Sequence, residues 1–214
     1  MQRNTQKFIV LLRHGQSTAN HEGVVQGQRD YPLHEAGIRQ VKRLADFWSL
    51  RSQTFDQIIY SPLLRAKHTA EILAAALEIP LQENPIWIER RLGDAEGLPY
   101  GQIQATLSGR LEHQSSYEPL FESGESEWDL FTRAAKAIQS LLDCDIPSIL
   151  VVSHGAILSA VMRAILGISP PPGHTRPPGF RFDNTGYSEV VFDQKTSHWI
   201  ILSHNTKHHL EQDE

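Results

Sequence analysis

Only one cysteine, Cys144, occurs in the 214 residues. That excludes an intramolecular disulfide framework and a cysteine-rich zinc site, and the expected state is a reduced thiol. Long hydrophobic runs are missing as well. Phe8–Leu12 is a five-residue run, too short for a signal-peptide core and far below the roughly 18 residues of a membrane span. A cytoplasmic protein that does not engage a membrane is therefore expected. There is no excess of positive charge: 20 Lys+Arg face 25 Asp+Glu, a net −5. A dedicated nucleic-acid binder is disfavoured, because nothing overall attracts a polyanion. Any anion site has to be a local cationic pocket. Glycine (14) and proline (12) stand at ordinary levels, which removes collagen-like and low-complexity readings. Neither repeats nor a long linker divide the chain, so a single domain over 1–214 is expected.

What is present is an alternation of short apolar runs and helical periods. Phe8–Leu12 (FIVLL) and Ile149–Val152 (ILVV) read as strands buried on both faces, and Asp56–Tyr60 (DQIIY) as another. In 35–50, Ile38, Val41, Leu44, Ala45 and Trp48 share one helical face. Ser61-Pro62 reads as an N-cap followed by proline at the first helical position, opening a helix to about Leu77. Ser126 to Asp129 has capping-box spacing and opens a helix to about Leu142. Another helix is expected over Gly155–Leu166, with late strands at Tyr187–Phe192 and Trp199–Leu202. Strands alternating with helices predict an α/β fold: a three-layer α/β/α sandwich around a mostly parallel central sheet.

Two apolar strands end in histidine-glycine. The first gives Arg13-His14-Gly15 and the third Ser153-His154-Gly155, each before a helix or turn. Arg65 lies in the first turn after the second strand. Ligands of open α/β sheets bind beyond the carboxyl ends of the strands, where helix N-termini suit phosphate. One histidine alone is more often a structural residue at a strand end, and one arginine a surface ion pair. Three placements at one sheet edge favour a site. Two guanidiniums there would grip phosphate oxygens in planar pairs. An imidazole beside them resists protonation and keeps a lone pair for attack on phosphorus. The second imidazole can stabilise the transferring oxygens, and a carboxylic acid must protonate the leaving group. No metal and no other cofactor is required if the protein supplies the positive charge.

These residues resemble the histidine phosphatase superfamily, the phosphoglycerate-mutase-like branch, in motif order over nearly the whole chain. LLRHGQSTAN (11–20) is similar to the opening signature; the resemblance implies His14 as phosphorylated nucleophile, Arg13 as phosphate clamp and Asn20 in the phosphate pocket. VQGQRDYPLHEAG (25–37) is similar to the next segment and places Gln26 and Gly27 by the substrate. SPLLRAKHTAE (61–71) implies Arg65 as second clamp. IERRLGDAEG (88–97) is similar to the acid motif and implies Glu89 as proton donor. VVSHGAIL (151–158) implies His154 as partner, with the Gly155 backbone beside the phosphate. Asn184-Thr185 and His209-Leu210 also fit.

Some positions depart from the family pattern. Leu92 and Ala95 stand where an aromatic and a tryptophan are common. Only 65 positions separate Glu89 from His154, and beyond Arg90 and Arg91 the interval holds just Arg110 and Arg133, without the further paired arginines of mutases. The implied function is a metal-independent phosphomonoesterase acting on small phosphorylated metabolites through phosphohistidine. The alternatives are a cofactor-dependent phosphoglycerate mutase and a non-catalytic phospho-ligand-binding module. Arg90 either contacts a second anionic group of the substrate or pairs with an acidic neighbour; for Arg91 the second reading is preferred. Segment 107–124 reads as a lid whose Tyr117 and Phe121 meet the substrate, against a loop that those aromatics anchor. His204, His208 and His209 read as an exposed polar tail. Trp48 and Trp128 read as core. An exposed sheet edge would allow two subunits to pair as a homodimer.

Overall fold

A computed structural model of the chain describes residues 6–103, 115–172 and 176–211. Six strands form one sheet: β1 (Gln6–Arg13), β2 (Gln57–Tyr60), β3 (Leu81–Glu83), β4 (Ser148–Ser153), β5 (Tyr187–Asp193) and β6 (His198–Thr206). Their order is β3-β2-β4-β1-β5-β6. The first four in that order are parallel, β5 runs antiparallel to β1, and β6 antiparallel to β5. The helices are α1 (Thr18–Glu22), α2 (Glu35–Leu50), α3 (Leu64–Leu77), α4 (Glu127–Asp143) and α5 (Gly155–Ile165).

The continuous apolar runs of β1 and β4 follow from burial on both faces. Ile9, Leu11, Ile149 and Val151 point to one side, where they meet Leu130, Ala134 and Leu141 of α4 and Ile157, Leu158 and Val161 of α5. Val10, Leu12, Leu150 and Val152 point to the other, against Val41, Leu44 and Trp48 of α2 and Ala66, Ala70 and Leu73 of α3. Strand residues alternate faces, so a run between two helical layers has no polar position to spare. The three-layer sandwich with a mostly parallel sheet is the observed architecture.

The register of the parallel strands builds the site edge. Leu12 faces Val152 and Arg13 faces Ser153, so His14 and His154 leave the sheet side by side. Tyr60 faces Val152 from the opposite flank, which delivers Ser61 to the same edge.

Several expectations need correction. Ser61 is not the cap of α3, which starts at Leu64 behind Leu63 with no side-chain cap. Its amide still belongs to the ladder, donating to the Val152 carbonyl (3.1 Å), so Ser61 cannot also turn into the helix. The Leu64 amide is satisfied by Asp30 Oδ1 (2.7 Å) instead. Trp128 is not core. It lies half-buried on α4, stacked on exposed Tyr117 at 5.4 Å. Of the C-terminal histidines, His204 and His208 are exposed as expected, although His204 lies in β6 and not in a tail, whereas His209 is buried in a closing 3-10 turn, His208–Leu210. Of the expected lid, 107–114 and with them Arg110 lie outside the described residues. Phe121 is buried with Val25, Ala95 and Ile103 in a small apolar cluster under the loops. Strand β3, three exposed residues, and α1 had no apolar signal in the sequence. The expected capping box of α4 is present in both directions between Ser126 and Asp129.

Candidate active site

His14 follows the last residue of β1 in a turn pressed onto α2. A Cβ on Gly15 would lie 2.8 Å from the Gly37 carbonyl oxygen and 2.9 Å from Val41 Cγ2, so only glycine allows this approach. The Gly15 amide donates to Thr69 Oγ1 (3.1 Å), and that hydroxyl donates to the Arg65 carbonyl (2.7 Å). The turn after β1 is thereby tied to α3. Asn184 Nδ2 and the Thr185 amide both donate to the His14 carbonyl (3.1 and 3.3 Å). His209 Nε2 meets Thr185 Oγ1 at 2.8 Å, closing the brace from the C-terminal turn.

The two imidazoles lie 5.1 Å apart, tilted by 59°, and both are buried. His14 Nδ1 lies 2.7 Å from the Gly15 carbonyl oxygen. A carbonyl only accepts, so the proton sits on Nδ1 and the lone pair on Nε2. Burial, then Arg65 and Arg13, hold His14 well below the usual histidine range. Burial, then Arg65, His14 and Arg13, do the same to His154. Both rings are therefore neutral at neutral pH.

Arg13 and Arg65 are anchored through their terminal nitrogens. Arg13 Nη1 donates to the Phe182 carbonyl (2.7 Å); Arg65 donates from Nη1 to the Arg29 carbonyl (2.9 Å) and from Nη2 to the Gly27 carbonyl (2.8 Å). Burial lowers Arg65 to about 10, which leaves it cationic at neutral pH. The Nε atoms of both arginines and Nδ1 of His154 are buried with no partner among the described residues. Buried donors without an acceptor are costly unless something else supplies one. An anion seated against the two histidines would do so.

Glu89 reaches the same edge from the loop before α4. Its carboxylate accepts from the Arg90 amide (2.7 Å) and from the Ile157 and Ala156 amides in the first turn of α5 (both 3.2 Å). The α5 N-terminus thus holds the carboxylate in the helix that starts right after His154. Arg133 braces the loop behind it, donating to the carbonyls of Ile86, Ile88 and Glu89 while paired with Glu125 (2.8 Å).

The whole-chain pattern has known relatives. The family model described as histidine phosphatase superfamily (branch 1) matches residues 9–207. The chain belongs to this superfamily. It is 32% identical over 204 residues to a Bacillus subtilis protein named uncharacterized phosphatase PhoE, covering 94% of this chain and 96% of that one. It is 31% identical over 209 residues to a Yersinia pestis protein named probable phosphoglycerate mutase GpmB, covering 95% and 94%. Among solved structures it is similar to phosphoserine phosphatase from Entamoeba histolytica, in complex with 3-phosphoglyceric acid. There the identity is 26%, the TM-score 0.77, and the cover 95% and 99%.

In this member of the superfamily the remaining expected positions lie as follows. Asn20 Oδ1 accepts from the Ser17 amide (3.2 Å) and Asn184 Nδ2 (3.2 Å), with Ser17 Oγ 3.0 Å away, making the capping box of α1 part of the wall beside His14. Gln26 Oε1 accepts from Ser17 Oγ (2.7 Å). Gly27 contributes its carbonyl to Arg65, and a Cα–Cβ bond of Gly155 would point within 3.8 Å of Arg13 Nε. Arg90 is drawn away: its guanidinium engages Glu127 and the Glu125 carbonyl, and Arg163 shares Glu127 (3.2 Å). Arg91 is exposed and gives its amide to Glu125 Oε2.

Sequence reasoning missed Ser61, whose Oγ lies 2.7 Å from His154 Nε2. It also missed Thr69 under the Gly15 turn. Both belong to SPLLRAKHT, the segment that supplies Arg65. For Ser61 the available signal was its place directly after a strand, at the edge where the histidines gather.

Proposed function

We propose that the protein is a metal-independent phosphomonoesterase that hydrolyses small phosphorylated metabolites through a phosphohistidine on His14. One observation carries the reading. A neutral His14 is locked with its proton toward Gly15 and its Nε2 lone pair free, beside donors on Arg13, Arg65 and His154 that have no partner among the described residues. In the first step Nε2 attacks phosphorus, the ester P–O bond breaks, and Glu89 gives a proton to the leaving alcohol oxygen. Arg13, Arg65 and His154 hold the three other oxygens as charge moves onto them. In the second step Glu89 takes a proton from water, the water oxygen attacks phosphorus, and the P–N bond breaks to release phosphate. Two guanidiniums supply the charge that a metal ion would otherwise bring. The phosphatase names of several relatives support a small phosphorylated substrate. The likeness to a mutase-named relative supports phosphoglycerate mutase as the second reading. Arg90, spent on Glu125 and Glu127, leaves fewer cations for a second anionic group.

The test is hydrolysis of p-nitrophenyl phosphate by wild type and His14→Ala, with and without excess chelator. Chelator-resistant turnover that disappears in His14→Ala is expected, as is alkali-stable labelling of the wild type alone by 32P-phosphoester. Turnover abolished by the chelator would overturn the metal-free route. Conversion of 3- to 2-phosphoglycerate that needs a bisphosphorylated sugar acid would establish the mutase reading.

A further inference from the structure

Ser61 and His154 are both fully buried, and Ser61 Oγ lies 2.7 Å from His154 Nε2. A serine hydroxyl is one donor and an acceptor. Among the described residues, Ser61 Oγ receives only the Leu63 amide, at 3.5 Å, and the acceptor its own proton meets is the lone pair of His154 Nε2. If Nε2 carried the proton instead, two N–H groups would converge on Oγ and the hydroxyl proton would be buried with no acceptor among the described residues, which is costly. The groups that face the ring, Arg65, His14, Arg13 and Arg133, are cationic or neutral, so none of them favours a second ring proton.

We infer that Ser61 is a positioning residue that donates to His154 Nε2, fixes the Nδ1–H tautomer, and so makes His154 a neutral hydrogen-bond donor to the transferring phosphoryl group. The ring atom left over, Nδ1, is the one that is buried without a partner among the described residues. The two histidines then carry their protons on the same atom for opposite ends. In His14 the backbone takes the Nδ1 proton and exposes a nucleophilic lone pair. In His154 the serine takes the Nε2 lone pair and exposes a donor. Without Ser61, a fraction of molecules would turn a lone pair toward phosphoryl oxygens and repel them. The catalytic consequence rests on the phosphoryl-transfer reading above; the tautomer does not.

The experiment is 15N NMR of histidine-labelled full-length protein, with the His154 signals assigned by their change in Ser61→Ala. A protonated Nδ1 and a bare Nε2 on His154 are expected in the wild type, mixed or reversed in Ser61→Ala. The kcat of Ser61→Ala on p-nitrophenyl phosphate should fall about tenfold or more with KM little changed, since a mis-set donor fails chiefly in the transition state. A wild-type His154 protonated on Nε2 would overturn the assignment, and a folded Ser61→Ala variant that keeps the wild-type kcat would overturn the positioning role. If Ser61→Ala does not fold, the wild-type tautomer, assigned through His154→Asn, decides alone. A wild type that hydrolyses no monoester while showing the Nδ1–H tautomer would sink the phosphatase reading and leave the role of Ser61 standing.

Discussion

Arg65 is 1% exposed, and a guanidinium so buried needs acceptors for its five N–H groups. Two carbonyls, of Arg29 and Gly27, take its terminal nitrogens, and Nε is left for an anion. A lysine there could hold one carbonyl or the phosphate but lacks the planar fork. Arg65→Lys is therefore expected to lower kcat/KM on p-nitrophenyl phosphate by about 100-fold or more; an unchanged value would remove Arg65 from the chemistry. Arg13, His14, Arg65 and His154 were legible because each sits directly beyond an apolar strand or in the next turn. Ser61 was not. A serine before proline and a helix has the local chemistry of a cap, and only the hydrogen bond from its amide to the Val152 carbonyl shows that the chain has not yet left the sheet edge.

At the scale of elements, the site depends on how closely helix α2 approaches the turn after β1. Gly37, inside α2, gains nothing from flexibility there. A Cβ on it would lie 2.0 Å from the Gln16 carbonyl oxygen and 2.7 Å from the Gln16 amide nitrogen. Gly37→Ala must push the turn that carries His14 away from α2. A loss of about 1–3 kcal/mol in urea unfolding is expected from this overpacking, together with a drop in kcat larger than the change in KM. Retained stability and activity would show that the crossing relaxes freely. Glu89 arrives by another device. Buried Trp87 fixes the loop before it, its carbonyl receiving Ser153 Oγ (2.6 Å), and the α5 N-terminus takes the carboxylate. None of these contacts has a periodic signature along the chain, which is why the position of Glu89 was reached through family resemblance and not from spacing.

Across the whole molecule, acid acts on buried neutral histidines. His209 is lowered from 6.5 to about 4 by burial first and by nearby His208 and Arg43. His14 and His154 are also held well below the usual histidine range, by burial first and then by the two arginines. For such groups the unfolded chain binds more protons below pH 6.5 than the folded one does. Their contribution is therefore complete above about pH 6.5 and shrinks as the pH falls towards 4. For His209 alone the shift corresponds to about 3 kcal/mol. Thermal melts from pH 7 to pH 4 should show a marked fall in Tm for the wild type and a smaller fall for His209→Gln. Equal slopes would mean that His209 titrates normally. The brace from His209 through Thr185 to the His14 carbonyl links this loss to the site, so acid should disturb the His14 turn along with the fold.

Sequence by itself pointed to the layers, because short apolar runs such as FIVLL and ILVV between helical periods suit strands covered on both faces. It also determined the α2 face, the capping box of α4, and the set of histidines and arginines at strand ends. Those signals are local: they are written in periods, caps and neighbours along the chain. The tertiary structure decided which of two chemistries each polar group performs. Arg90 went to Glu127 and Glu125, Ser61 went to His154, Trp128 went to Tyr117, and His209 went inward to Thr185. Each of those outcomes depends on a partner 11 to 93 positions away in the chain, and a hydrogen bond is chosen by distance in space, for which the sequence carries no period.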